Sequence, residues 1–240
     1  MSGWLEDRLV VVTGASQGIG AAAALALAER GARVVAVARN RDNLEAVVGE
    51  IRSAGRRADL VVCDLGESGA AQRLFSAVDE IGRVEGLVCC AATLRRASVG
   101  ETDPEQWRAT MRVNLDAVWD CGREAFVRMQ GCTGGGRILN VGSLSGVYGT
   151  EKFPGLAAYN TSKYGVIGLT EALAVEGRDQ GIAAVCLSPG AVATEMLRAA
   201  NPELAARLTA ADVGGFIAEL LDGAGFPAMS GANLPLFSNG

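Results

Sequence analysis

Short valine-rich apolar runs alternate along the chain with longer segments whose apolar positions recur every three or four residues, the two spacings that mark strand and helix. The first run, 8–12, ends in Leu9-Val10-Val11-Val12 and meets a glycine-rich turn, after which an alanine-rich helix reaches Arg30. The pattern then predicts strands over 33–38, 58–63, 86–90, 137–141, 182–187 and 232–237. Between them it predicts helices over 42–53 and about 67–81, a long helical segment from Asp103-Pro104 to Met129, a helix from near Leu156 to about Gly177, and a last helix over 211–221. Near-continuous apolar strands, each followed by a helix, imply strands buried on both faces. The expected class is α/β: a doubly wound, parallel seven-stranded sheet with right-handed crossovers and helices on both faces.

A chain of 240 residues that is 49% hydrophobic can bury such a core in a single domain, 1–240, and no linker-like break divides it. The longest apolar run, 21–28, is far short of the ~20 residues that span a bilayer, and no basic segment followed by an apolar one opens the chain. A cytoplasmic protein is expected, with no membrane partner. The net charge of −5 argues against nucleic acid as a principal partner. Histidine is absent, which removes His-based triads and His metal sites, so no metal is expected. Six cysteines show no C-x-x-C pair, as a reducing compartment implies; Cys89 and Cys90 are too close along the chain for an ordinary disulfide and read as buried strand-end thiols.

The turn Thr13-Gly14-Ala15-Ser16-Gln17-Gly18-Ile19-Gly20 lies between a strand and a helix N-terminus. Glycine spacing alone is weak evidence in a chain with 32 glycines, but this context makes an anion site. Unpaired backbone N–H groups and the helix dipole point at the turn, and glycines let a pyrophosphate approach the backbone. Strand 33–38 then ends in Ala38-Arg39, where the adenine ribose of a dinucleotide is expected. An acidic residue there would accept from the ribose 2′-OH, whereas Arg39 can clamp a 2′-phosphate, so NADP is expected over NAD. A solvated loop arginine is the alternative. Asp64 and Leu65 fall at the carboxyl end of strand 58–63, the edge at which doubly wound sheets bind ligands.

Three tyrosines and two lysines in 240 residues would produce roughly 0.025 Tyr-x-x-x-Lys pairs by chance, yet Tyr159 and Lys163 form one. Four apart on a helix, they share a face, with the ammonium one turn from the phenol. A cation about 4 Å away at an effective dielectric of ~20 favours phenolate by ~4 kcal/mol, enough to turn a weak acid into a usable proton donor and acceptor. Ser143, delivered to the sheet edge by strand 137–141, can donate to a substrate oxygen and stabilise charge developing on it. Ser145 is expected to line the same pocket.

Taken in order, these residues resemble the short-chain dehydrogenase/reductase family from about Leu9 to Met196: Thr13 to Gly20 its TGxxxGxG turn, Asp64 its adenine-contacting acid, Ser143 its serine, Tyr159 and Lys163 its YxxxK, and Pro189, Gly190 and Thr194 its PGxxxT segment. The resemblance implies a Rossmann fold and hydride exchange between a nicotinamide and a carbonyl or secondary alcohol, as in ketoreductases of the 3-oxoacyl reductase type. It implies catalytic roles for Asn114, Ser143, Tyr159 and Lys163, with Asn114 anchoring a water that links Lys163 to solvent. It implies cofactor contacts from Gly14, Ser16, Gln17, Gly18, Ile19, Gly20, Arg39, Asp64, Leu65, Ala91, Tyr159, Lys163, Pro189, Gly190, Val192 and Thr194. It further implies a substrate lid over about 195–209, where Met196, Leu197 and Arg198 suit an apolar pocket with a cationic rim, and a homotetramer or dimer.

Three departures stand out. Cys89-Cys90-Ala91-Ala92 replaces the family's Asn-Asn-Ala-Gly, removing side-chain amides from that turn. Ser143 and Tyr159 lie sixteen apart where thirteen is commoner, so the intervening loop carries an insertion; and the tail ends in Ser238-Asn239-Gly240 without the usual Asp-Gly-Gly. Arg95 and Arg96 read as a solvated surface pair, with an anionic substrate or carrier as the alternative. An NAD-dependent alcohol dehydrogenase of the same family, an NADP-sensing protein without chemistry and a Rossmann methyltransferase are the rival functions. The methyltransferase has no need of Tyr159 and Lys163.

Overall fold

The computed structural model describes residues 3–237; the tail residues Ser238, Asn239 and Gly240 lie outside them. Strand β1 (Leu9–Thr13) is buried at all five positions and pairs in parallel with β2 (Arg33–Ala38) on one side and β4 (Gly86–Cys89) on the other. Adding β3 (Ala58–Val62), β5 (Gly136–Val141), β6 (Ile182–Pro189) and β9 (Asn233–Leu236) completes a parallel seven-stranded sheet in the order β3-β2-β1-β4-β5-β6-β9. The expected class and all seven strands are present. A separate two-stranded pairing of β7 (Val192–Ala193) with β8 (Leu208–Thr209) was not expected from the sequence; two residues a strand leave no periodicity to read.

The two faces of the sheet carry separate cores. On one face α1 (Gly18–Glu29), α2 (Arg41–Ser53) and α8 (Ala210–Asp222) pack around Val10, Val12, Leu27 and Ile217. On the other, α3 (Ala70–Ile81), α5 (Ala117–Met129) and α6 (Ala157–Gly177) enclose Val11, Phe75, Cys121 and Ile138. Residues of the central strands alternate between the faces, so β1, β2, β4, β5 and β6 each feed both cores and read as near-continuous apolar runs.

Two helical predictions need correction. The helix expected from about residue 67 starts at Ala70, because Gly69 adopts a left-handed conformation (φ 67°) and residues 66–69 form a turn that brings Asp64 Oδ1 to the Gly66 N–H at 2.9 Å. The long segment 104–129 is not uniform: α4 (Pro104–Met111) passes into a π-helical turn, Arg112–Asp116, and then into α5. Asn114 sits in the middle of that widened turn. Asp103 caps α4 as expected, accepting from the Gln106 N–H at 2.6 Å with Pro104 in the first turn.

Candidate active site

The strand order reverses between β2-β1 and β4, and the crevice that opens at this edge is a cavity of ≈ 1320 Å³ at the carboxyl ends of the strands. The glycine turn, with Gly14, Ser16, Gln17, Gly18, Ile19 and Gly20, lines one part of it. Arg39, Asp64 and Leu65 line the side under β2 and β3, and Ala91 lies beyond β4. Ser143, Tyr159 and Lys163 line the other side, with Pro189, Gly190, Val192 and Thr194 after β6. Of the catalytic and cofactor-contacting residues expected from the sequence, Asn114 alone is not in the lining; it is fully buried.

The turn fits a pyrophosphate. Gln17, extended at the start of α1, makes no side-chain cap, and the first turn holds no acidic residue, so the leading N–H groups of the helix are open to an anion. Gly14 has φ 68°, and a Cβ there would come within 2.8 Å of the Ala91 Cα and N, so glycine is what allows the turn and the β4 segment to abut. Thr13, read in the sequence only as the first member of the glycine motif, ties down this segment: its Oγ1 accepts from the N–H groups of Cys90 (3.1 Å) and Ala91 (3.2 Å). Burial pushes the Cys89 thiol up to about 12, so it stays neutral and packs as an apolar group.

Asn114 braces the same segment. Its Oδ1 accepts from the Thr93 N–H at 2.7 Å, and its Nδ2 donates to the Thr93 carbonyl at 2.9 Å and to Ser162 Oγ at 3.2 Å. Ser162 Oγ in turn donates to the Tyr159 carbonyl at 2.7 Å. The π turn supplies one extra residue at the point where this amide must meet both the Thr93 backbone and the Ser162 hydroxyl, a local rearrangement that helix periodicity does not reveal.

Tyr159 and Lys163 share a face of α6, as their spacing predicts. Lys163 is 3% exposed, its Nζ lies 5.8 Å from the Tyr159 ring centroid and donates to the Val141 carbonyl at 2.8 Å. That bond ties the ammonium to the end of β5, two residues before Ser143. Ser143 opens a short 3₁₀ turn, Leu144–Gly146, and its Oγ accepts from the Ser145 N–H at 3.1 Å. A Cβ at Gly146 would lie 2.5 Å from the Lys163 carbonyl carbon, so this glycine lets the turn seat directly on α6. Serine, tyrosine and lysine are therefore held by one contact between β5, the turn and α6.

Arg39 lies 3.7 Å from Asp64 Oδ2 with its side chain 72% exposed, a loose surface pair that leaves the guanidinium accessible from the cavity. In the inserted loop, Lys152 Nζ donates to the carbonyls of Leu144 (3.1 Å) and Val147 (2.6 Å) and to Thr150 Oγ1 (2.7 Å), so the extra residues fold back on the Ser143 turn. The segment 195–209, expected as a lid, holds α7 (Glu195–Ala200), capped by Thr194, followed by irregular chain to β8. Met196 and Leu197 line the cavity as expected; Arg198 is exposed and does not, while Arg96 and Arg207 join Arg39 among the lining residues. Among the described residues, no helix is long and apolar enough to cross a membrane, and no cluster of potential metal ligands occurs.

The short chain dehydrogenase family model matches residues 8–205. The chain is 34% identical over 208 residues to a 3beta-hydroxysteroid dehydrogenase of Mediterraneibacter gnavus, covering 86% of this chain and 74% of that one. It is 34% identical to a 3-oxoacyl-[acyl-carrier-protein] reductase of Synechocystis sp., over 83% and 80% of the two chains. A short chain dehydrogenase from Burkholderia cenocepacia, solved in complex with NADP, superposes with a TM-score of 0.88 at 28% identity, over 98% of each chain. Likeness of that extent, in sequence and in backbone alike, makes the chain a member of the short-chain dehydrogenase/reductase family.

Proposed function

We propose that the protein is an NADP(H)-dependent carbonyl reductase in which Tyr159 is the general acid, Ser143 orients and polarises the substrate oxygen, and Lys163 supports the phenol. The observation that carries this reading is the placement of Lys163: a buried ammonium, bonded to the Val141 carbonyl and one turn from the tyrosine ring, in the cavity that the glycine turn also lines. Such a placement brings the ammonium beside the phenol that would pass its proton to the substrate oxygen. A nicotinamide cofactor, when bound, supplies the hydride. This chain's residues would hold it through the N–H groups at the start of α1, Arg39 and Asp64 towards the adenosine end, and Ala91, Gly190, Val192 and Thr194 along the rest of the crevice. Residues 1–240 act together as one dinucleotide-binding and catalytic domain, with 195–209 as the substrate lid. Deuterium transfer from 4-deuterated NADPH to a panel of ketones tests the reading; NADPH binding without transfer would leave a sensor.

The preference for NADP rests on Arg39 and on the absence of an acid at the end of β2, and the NADP held by the Burkholderia cenocepacia relative agrees with it. Arg39→Asp should raise the KM for NADPH by tenfold or more and lower that for NADH, because it removes a donor fork and adds an acceptor for the ribose hydroxyls. Unchanged KM values for both would show that Arg39 is a bystander. Exposed Trp119 and Val127 on α5, and Val175 on α6, favour a homo-oligomer built on these helices, which light scattering would show as a mass of two or four chains.

A further inference from the structure

Arg96 spans the mouth of the cavity. Its Nη1 donates to the carbonyl of Ala200, the last residue of α7, at 3.1 Å, and its Nη2 donates to the carbonyl of Pro154 in the inserted loop at 3.0 Å. The second anchor is reinforced by the neighbouring backbone, where the Ala97 N–H donates to the Gly155 carbonyl at 3.0 Å. The first anchor has no such support. The end of the lid is held separately, by the pairing of β8 with β7; among the described residues, the bond to Ala200 is the one hydrogen bond joining residues 195–207 to chain other than Thr194, and no salt bridge reaches Glu195, Arg198, Glu203 or Arg207. The last carbonyls of a helix have no intrahelical donors, so the Ala200 oxygen is free to accept, and a planar guanidinium is suited to grip two carbonyls at once.

We propose that Arg96 is the latch of the substrate lid: a positioning residue that holds α7 against the inserted loop, so that the substrate end of the cavity is closed by one side chain and opened when its grip on Ala200 is broken. The inserted loop then has a defined purpose. Lys152 folds it onto the Ser143 turn, Arg96 ties it to the lid, and the lid is thereby placed relative to the serine that orients the substrate. Such a latch favours bulky, largely apolar carbonyl compounds, because the wall that it holds in place carries Phe153, Leu156, Met196, Leu197 and Leu204. The consequence for turnover rests on the carbonyl reductase reading above; the mechanical claim does not.

Arg96→Gln and Arg96→Lys test both. Trypsin cleavage after Arg198 and Arg207, followed by mass spectrometry on the ligand-free protein, should be at least fivefold faster in Arg96→Gln than in the parent, with Arg96→Lys in between, since the compact ammonium lacks the planar two-armed fork that spans the Pro154 and Ala200 carbonyls. In steady state, KM for neutral, bulky ketones should rise about tenfold in Arg96→Gln while KM for NADPH stays unchanged. An unchanged cleavage rate at Arg198 and Arg207 in a variant with parental Tm would overturn the latch. So would a loss of activity confined to anionic substrates with lid cleavage unaltered, which would make Arg96 a direct substrate contact. If no ketone were turned over by the parent protein, the proteolysis comparison would still decide the latch, and only the carbonyl reductase reading would fall.

Discussion

Replacing Tyr159 with phenylalanine should lower the rate of ketone reduction by about 10²–10⁴-fold, the range that a positioned general acid contributes, and leave NADPH affinity nearly unchanged. The substitution removes one hydroxyl. The ring remains in place on α6, Lys163 keeps its bond to the Val141 carbonyl, and the glycine turn is untouched. Steady-state rates and an NADPH fluorescence titration, taken on the same preparation, separate the two effects. A phenylalanine variant that reduced a good substrate at a comparable rate would remove Tyr159 from the chemistry. Loss of NADPH binding along with turnover would mean instead that the tyrosine holds the cofactor crevice open.

Asn114→Ala should destabilise the protein by about 2–3 kcal/mol and lower its Tm by about 4–12 °C. Asn114 is fully buried and its amide satisfies both backbone groups of Thr93 as well as the Ser162 hydroxyl. Truncation leaves these groups without partners in a site too enclosed to hydrate them freely. Turnover measured well below the Tm should fall as well, because the Thr93 segment lines the cavity and Ser162 supports the Tyr159 carbonyl. Thermal unfolding followed by circular dichroism measures the first effect and assays at low temperature the second. A Tm within a degree of the parent would show that the three bonds are replaceable and that the π turn has some other cause.

Much of the architecture is legible in the sequence because parallel strands buried on both faces must be apolar throughout, and the helices between them must turn one apolar face inward. The runs around Val10, Val35 and Leu139 therefore announce their strands, and the glycine turn, Tyr159 and Lys163 announce a site through short-range spacing that a turn or a helix converts directly into geometry. Residues whose roles depend on distant backbone carried no such signal. Thr13 looks like one more member of the glycine motif until the β4 segment brings two N–H groups to its hydroxyl. Arg96 looks solvated until Pro154 and Ala200 arrive from 58 and 104 residues away.

Local pattern thus determined which segments are strands and helices, that the sheet is parallel and doubly wound, and which side chains could carry the chemistry, since each depends on residues within a few positions of one another. Tertiary structure alone decided that Asn114 sits in a widened turn facing Thr93, that Lys163 is fixed by Val141, and that Arg96 joins α7 to the loop at Pro154. In each case a side chain meets the unpaired backbone of a remote segment, and backbone N–H and C=O groups are the same at every residue, so nothing in the letters of the sequence marks which of them will be met.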